Sequence, residues 1–252
     1  MRNICSLLII TYTLFISAGA YAETARIAVA ANFYSTLKSL VENFEQQHPH
    51  KLVIVSGSTG KLFAQIQNGA PFHAFLSADS LRPEKLLISG HAVPNSDFSY
   101  ARGRLVYWEP KKAANSTPPK FQAKQKIALA NPKIAPYGKA ATFALKKLNT
   151  QKTKYTTVYG NSVTQTMQFI ASGSVSSGFI AMSQILQVPE NKRGYWWQVP
   201  EDLYPPLHQK AVLLKKGEDN KAAIALLHYL QSREATALIS QMGYATDTPQ
   251  ND

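Results

Sequence analysis

The chain has 252 residues, of which 45% are hydrophobic and 17% are charged, and its formal net charge is +12. This length suits one large domain or two small ones, and this composition excludes a disordered chain. Cys5 is the only cysteine, which excludes a disulfide framework and a cysteine metal site. The charge favours an anionic partner: a small anion, a membrane surface or nucleic acid. The lysines are spread along the chain, however, so a solvated basic surface explains most of them.

The first 22 residues predict a secretory signal peptide. Arg2 supplies a positive start, "SLLIITYTLFI" an apolar stretch and "AGAYA" a small-residue cleavage site after Ala22. The apolar stretch is short for a bilayer span, although a retained N-terminal anchor is the alternative. We therefore expect a soluble periplasmic protein. Without Arg2 it has 26 basic and 15 acidic residues, a net charge of +11.

The rest of the chain repeats one local pattern four times: an apolar run, small polar residues, and then apolar residues at helical spacing. The four units are "RIAVA-AN-FYSTLKSLVENFEQQ", "KLVIVS-GSTG-KLFAQIQNG", "KIALA-NPKIAPYG-KAATFALKKL" and "YTTVY-GNS-VTQTMQFIASG". Strands that alternate with helices predict an α/β fold with largely parallel sheets.

Other stretches complete this pattern. "HAFLSADS" and "GFIAMS" are typical of buried strands, and "KAVLLKKG" of a late strand. "NKAAIALLHYLQSREATALISQMG" predicts one or two C-terminal helices. Residues 110–122 and 199–209 are rich in proline and predict surface connections.

The stretch "VIVSGSTGKL", residues 53–62, looks like a nucleotide-phosphate loop but has two residues where a Walker loop has four between its first glycine and Gly-Lys. It fits a simpler anion site, because the first N–H groups of a helix lack internal partners and carry partial positive charge. One such loop is also explained by ordinary helix capping. Four such units in one chain favour a shared oxyanion site.

The composition of these loops indicates which anion would bind. "AANF", "GSTG", "APYG" and "GNSV" contain no Asp or Glu. A protonated anion such as hydrogen phosphate needs an acceptor for its proton, whereas a fully ionised dianion is repelled by a carboxylate. If the loops converge, sulfate, molybdate or tungstate is therefore expected.

The sequence resembles the periplasmic molybdate-binding proteins (ModA family) of ABC importers. The resemblance is carried by "AVAANFYSTLKSL", "VSGSTGKLFAQIQNGAPFHAFLSAD", "NPKIAPYG", "GNSVTQ" and "SGFIAMSQI", which follow the family order and span nearly all the mature chain. It implies a two-lobed α/β fold of the type II periplasmic binding proteins, in which each lobe is a mixed, largely parallel sheet flanked by helices and the lobes close over molybdate or tungstate. The implied lobes are residues 23–103 with 211–252 (lobe I) and residues 104–210 (lobe II), after the signal peptide 1–22.

The resemblance also implies the ligand residues. They are Ala31 and Asn32 in the first loop, Ser58 and Thr59 in the second, and Tyr137 and Val163 in lobe II, the last two mainly through backbone N–H groups. Molybdenum would be held only as its oxyanion, without a direct protein ligand and without a further cofactor. Some family members have a tyrosine that contacts the oxyanion where this chain has Ala181, and that contact is expected to be absent.

The implied role is a monomeric solute-binding protein that delivers its anion to an inner-membrane ABC permease and does not act as an enzyme. Two alternatives stay open: a binding protein for another oxyanion such as sulfate, and an exported hydrolase of anionic substrates. The six histidines do not pair at helical spacing, so a metal site is not expected. The aromatic cluster Tyr195–Trp197 is interpreted as packing, and no nucleic-acid motif is present.

Overall fold

The computed structural model describes residues 22–246 of the chain. The predicted signal peptide lies outside this range, apart from Ala22. Within the range, no helix combines the length and the apolar character that crossing a membrane requires.

The first half of the chain builds a sheet from units in which a buried strand leads into a helix. The elements in chain order are β1 (Thr24–Ala30), α1 (Tyr34–Gln47), β2 (Lys51–Gly57), α2 (Thr59–Gln67), β3 (Ala74–Leu76), α3 (Leu81–Ile88) and β4 (Phe98–Gly103).

The second half repeats this arrangement in a second sheet. Its elements are β5 (Leu105–Glu109), β6 (Lys126–Ala130), α4 (Pro136–Leu148), β7 (Thr156–Gly160), α5 (Val163–Ala171), β8 (Ser177–Ala181), α6 (Met182–Ile185), α7 (Glu190–Arg193) and β9 (Tyr195–Gln198). The chain then continues through β10 (Leu207–Leu213), α8 (Lys221–Tyr229) and α9 (Arg233–Gln241).

Both sheets are mixed. The strand order of the first is β2-β1-β3-β10-β4, where β1 is parallel to β2 and β3, and β10 is antiparallel to β3 and β4. The order of the second is β7-β6-β8-β5-β9, where β6 is parallel to β7 and β8, and β5 is antiparallel to β8 and β9. The predicted two-lobed α/β fold is confirmed. We call the part around the first sheet lobe I and the part around the second lobe II.

The chain crosses between the lobes twice. The first crossing is direct, since β4 ends at Gly103 and β5 begins at Leu105. The second runs through residues 199–206, and β10 pairs with β4 from Leu207 onward. The other proline-rich stretch, 110–122, joins β5 to β6 within lobe II. Its composition predicts an exposed loop, but it does not show whether the chain changes lobe there.

Each lobe has its own core because each sheet buries apolar side chains against its helices. In α1 the buried positions recur at helical spacing, with Leu37, Leu40 and Phe44 fully inaccessible. They pack against β1 in the main core of lobe I. In lobe II, Tyr107, Phe179 and Tyr195 lie in a separate aromatic core. These cores pack each sheet against its helices and so position the loops at the strand ends.

Candidate functional site

The four predicted loops meet at one small cavity between the lobes. The 3₁₀ turn Ala31–Phe33, which leads into α1, and the start of α2 contribute from lobe I, and the starts of α4 and α5 from lobe II. The cavity is lined by Ala30, Ala31, Asn32, Ser58, Thr59, Ala78, Ala135, Pro136, Tyr137, Ser162 and Val163. All six residues that the sequence singles out therefore lie together.

The cavity is small. The centre of a water-sized sphere has about 10 Å³ in which to move, which corresponds to roughly one such sphere. Sugars, peptides and nucleotides are too large for it. It suits a compact group whose oxygens reach the surrounding donors directly.

Unpaired backbone N–H groups belong to residues that line this cavity, because helices begin there. Thr59, Tyr137 and Val163 each occupy the first or second position of a helix, and their N–H groups have no acceptor among the described residues. Within residues 22–246, only α5 among the helices that begin at the cavity has a side-chain cap, in which Ser162 Oγ accepts from Gln165 N–H at 3.2 Å. The helix starts thus leave donors and positive dipole ends for a ligand.

Ser58 and Thr59 add hydroxyl groups. Ser58 is 4% exposed, and its Oγ has no hydrogen-bond partner in the described part of the chain. Thr59 Oγ1 accepts the N–H of Ala78 at 3.3 Å, which leaves its own hydrogen to donate. A buried hydroxyl that stays unpaired costs free energy, so Ser58 indicates a missing acceptor in the cavity.

Asn32 is tied into a buried network behind the cavity. Its Nδ2 donates to Gln209 Oε1 at 3.0 Å and to the Tyr244 hydroxyl at 3.2 Å. Tyr244 in turn donates to the Asn32 carbonyl at 2.7 Å. The sequence analysis missed Gln209 and Tyr244. One signal was present for Gln209: in "LHQKAVL" it occupies the alternate position that otherwise carries buried apolar residues.

Ala181 does not reach the cavity. It is fully buried at the end of β8, where its N–H donates to Gln184 Oε1 at 3.0 Å. The tyrosine hydroxyl nearest the first loop is that of Tyr244, which comes from the C-terminal part of lobe I and lies 2.9 Å from Ser183 Oγ of lobe II.

The cavity is electrically neutral apart from its dipoles. Within residues 22–246, no Lys, Arg, His, Asp or Glu lines it. Burial raises the pKa of the Tyr137 hydroxyl well above its usual range, so this tyrosine is uncharged. Asp79 lines the larger neighbouring cavity of about 500 Å³. It is paired with Arg82 and caps α3 by accepting the Arg82 N–H at 3.0 Å.

Direct hydrogen bonds join the lobes around the cavity. Gly60 N–H donates to the Ile134 carbonyl at 2.8 Å. Two lobe II hydroxyls bind carbonyls of the first loop: Thr164 Oγ1 donates to Ala31 at 3.1 Å, and Ser183 Oγ to Asn32 at 3.2 Å. Because these carbonyls are engaged by lobe II, they are not free to face an anion.

Other candidate sites take no part in this arrangement. Among residues 22–246, no group of three or more His, Cys, Asp or Glu side chains is placed to hold a metal ion. In the aromatic cluster, Tyr195 is fully buried and its hydroxyl donates to the Thr117 carbonyl at 2.7 Å. Trp196 and Trp197 pack partly buried against the lobe II core.

Comparisons with known proteins agree with this architecture. The model of the family described as "Bacterial extracellular solute-binding protein" matches residues 25–245. The molybdate-binding protein ModA of Azotobacter vinelandii is 43% identical over 233 residues, which cover 91% of this chain and 92% of that protein. ModA of Rhodobacter capsulatus is 40% identical, with 87% of each chain covered.

Solved structures have the same fold. The periplasmic molybdate-binding protein of Azotobacter vinelandii superimposes with a TM-score of 0.80 at 36% identity, covering 89% of this chain and 100% of that one. The sulfate-binding protein SubI of Mycobacterium tuberculosis superimposes with a TM-score of 0.66 at 11% identity, covering 90% and 88%. At that identity the second match shows the fold alone.

Proposed function

Because the chain belongs to the molybdate-binding proteins (ModA) within the bacterial extracellular solute-binding family, we propose that it captures molybdate or tungstate in the periplasm and delivers it to an inner-membrane ABC permease. In this role it is a monomeric binding protein without catalytic activity and without a resident cofactor.

The observation that carries the proposal is the chemistry of the cavity between the lobes. Three helix starts offer unpaired N–H groups, Ser58 offers an unpaired hydroxyl, and the described lining has no charged side chain. Such a site favours a small anion that has no proton to donate. Molybdate and tungstate are tetrahedral dianions of this kind.

Each lobe would hold part of the anion. Asn32, Ser58 and Thr59, with the backbone of Ala31, would bind oxygens from lobe I, and the N–H groups of Tyr137 and Val163 would bind them from lobe II. For Tyr137 a backbone contact is supported by its side chain, whose hydroxyl lies beside Gly103 and Gln209. Molybdenum itself would contact no protein atom.

A bound anion would favour the arrangement in which the lobes touch. Neither lobe alone surrounds the cavity, so an anion bound to both gains its full set of hydrogen bonds only when Gly60 meets Ile134. The permease would then distinguish loaded from unloaded protein by the relative position of the lobes.

The same cavity supports binding over hydrolysis. A hydrolase needs a base within reach of its nucleophile. The hydroxyls of Ser58 and Thr59 have no histidine or carboxylate beside them in the described lining.

Calorimetric titration of the purified mature chain with molybdate, tungstate, sulfate and phosphate tests the proposal. We expect tight one-to-one binding of molybdate and tungstate, with sulfate and phosphate far weaker. The free energy of unfolding should rise by about 2.7 kcal/mol when free molybdate reaches about 100 times its Kd. Binding of sulfate but not molybdate would replace the proposal with the other oxyanion function. Hydrolysis of phosphate or sulfate esters, abolished by Ser58→Ala, would replace it with an enzyme.

A further inference from the structure

The buried network behind the cavity leaves two polar atoms unsatisfied. The Nε2 of Gln209 and the hydroxyl of Tyr137 are enclosed and have no partner among residues 22–246. They are neighbours, because a Cβ on Gly103 would overlap the Tyr137 hydroxyl and would lie 2.8 Å from Gln209 Nε2. Gln209 is fully buried on β10, and Tyr137 reaches it from lobe II.

The Asn32 side chain has an acceptor without a donor. Both hydrogens of Nδ2 are used, on Gln209 and on Tyr244, and Oδ1 has no donor within the described range. Since Asn32 lines the cavity, Oδ1 is the side-chain atom left for it. An amide oxygen repels a dianion and would instead accept a proton from an anion such as hydrogen phosphate.

Turning both amide groups by 180° removes all three mismatches. An amide has nearly the same shape in its two orientations, and only its donor and acceptor ends exchange. Gln209 Nε2 would then donate to Asn32 Oδ1 and to the Tyr100 hydroxyl, which itself donates to the Ser77 carbonyl at 3.0 Å. Gln209 Oε1 would accept from the Tyr137 hydroxyl.

One other bond changes in this exchange. The single hydrogen of the Tyr244 hydroxyl would go to Asn32 Oδ1 and no longer to the Asn32 carbonyl, which would keep its bond from Ser183 Oγ. Asn32 Nδ2 would be free to donate into the cavity. The two sets of amide orientations differ in how many buried polar atoms have hydrogen-bond partners. They also differ in which end of the Asn32 amide dipole faces the ligand.

We propose that Gln209 is a positioning residue that holds the Asn32 amide with Nδ2 toward the bound oxyanion, and that it thereby selects a fully ionised anion over a protonated one. This inference rests on the proposed oxyanion function. Gln209 does not line the cavity and acts only through Asn32. The Tyr137 hydroxyl, which comes from the other lobe, fixes the orientation of Gln209 when the lobes touch.

The variant Gln209→Met keeps the bulk of the side chain and removes its hydrogen bonds. Gln125→Met is its matched control, because Gln125 is another amide side chain bonded to a tyrosine: its Nε2 donates to Tyr107 at 3.2 Å and to Ser177 at 3.0 Å in lobe II, and Gln125 does not line the cavity. Calorimetry with molybdate, and with phosphate as a competitor, measures both the affinity and the anion selectivity of each variant.

We expect Gln209→Met to bind molybdate about tenfold more weakly or worse, while phosphate competes better than in the wild type. Gln125→Met should leave the affinity and the selectivity unchanged. A neutron structure of the wild-type complex should show hydrogens of Asn32 Nδ2 on the anion side.

Three results would overturn the inference: unchanged molybdate binding in Gln209→Met, equal weakening of both anions, or Asn32 Oδ1 facing the anion in the neutron structure. If wild-type protein binds neither molybdate nor tungstate, the proposed function itself fails, and this outcome is distinct from the other three.

Discussion

The hydroxyl of Ser58 has a different role in the free protein and in the complex. Its hydroxyl is enclosed and unpaired without a ligand. In the complex it would donate to an anion, and such a charge-assisted bond is stronger than a neutral one. Free protein and complex should therefore respond differently to its removal.

Ser58→Ala should weaken molybdate binding by about 10- to 100-fold, because one hydrogen bond to a charged group is lost. The free energy of unfolding without anion should stay unchanged or rise by about 1 kcal/mol, because a buried unpaired hydroxyl disappears. Calorimetry and urea unfolding measure the two effects.

Ser177→Ala is the matched control, since Ser177 is also buried but accepts a hydrogen bond from Gln125 Nε2 at 3.0 Å. It should lower the stability by about 1 kcal/mol and leave the affinity unchanged. If Ser58→Ala lowers the stability of the free protein by as much and does not affect binding, Ser58 has only a structural role.

At the residue scale the sequence allows the cavity lining to be predicted, but not the network behind it. Asn32, Ser58 and Tyr137 follow apolar runs at helix starts, and a local pattern suffices to find them. Gln209 and Tyr244 meet Asn32 across 177 and 212 residues of chain. No local pattern encodes a contact at such a separation. The one signal for Gln209 was a polar residue at a position of β10 where the alternation predicts a buried apolar residue.

The start of helix α2 combines a ligand loop with a contact between the lobes. Gly60 N–H donates to the Ile134 carbonyl at 2.8 Å. A Cβ at Gly60 would stand 2.9 Å from both Cα and the carbonyl oxygen of Ile134. Such a distance to backbone requires one lobe to shift.

Gly60→Ala should weaken molybdate binding by about tenfold or more, because the added methyl group holds the lobes apart. The stability of the free protein should not fall, since alanine favours a helix over glycine. Calorimetry gives the affinity, and small-angle scattering with and without molybdate should show less compaction than in the wild type.

Lys61→Ala is the control for this helix, because Lys61 is the next residue, is exposed and makes no hydrogen bond or ion pair to lobe II within residues 22–246. It should leave both the affinity and the compaction as in the wild type. Compaction of Gly60→Ala equal to that of the wild type would contradict the role of this contact.

At the element scale, the alternation of strands and helices was predictable because each helix has a clear apolar face. The mixed character of the sheets was predicted from the family resemblance and is confirmed, but the alternation of strands and helices alone does not show which strands are antiparallel. The return of β10 into lobe I places an antiparallel strand beside β3, a pairing between distant parts of the chain. At residues 103–105, where the chain first crosses between the lobes, the sequence contains no proline and only one glycine, Gly103, so it did not predict a crossing there.

The whole molecule contains tyrosines that are buried in both lobes. Burial raises the pKa of Tyr107 and that of Tyr244 to about 12, and it raises those of Tyr100 and Tyr137 well above the usual value. Because folding favours their protonated form, their contribution to stability is complete below about pH 10, the unfolded pKa. It is lost as the pH rises toward the folded pKa.

Urea unfolding between pH 8 and 12 should therefore show nearly constant stability up to about pH 10 and then a decline, to which each such tyrosine contributes about 1.4 kcal/mol per pH unit. Tyr107→Phe should make the decline shallower by one such contribution. A flat profile to pH 12 would contradict the burial of these hydroxyls.

Because the cavity would neutralise its anion with dipoles alone, its composition predicts whether binding takes up or releases protons. Nothing in its described lining changes protonation near neutral pH, so capture and release of the anion should exchange no protons with the solution. The measured binding enthalpy should accordingly be the same in buffers with different heats of ionisation, and a dependence on the buffer would reveal a titrating group.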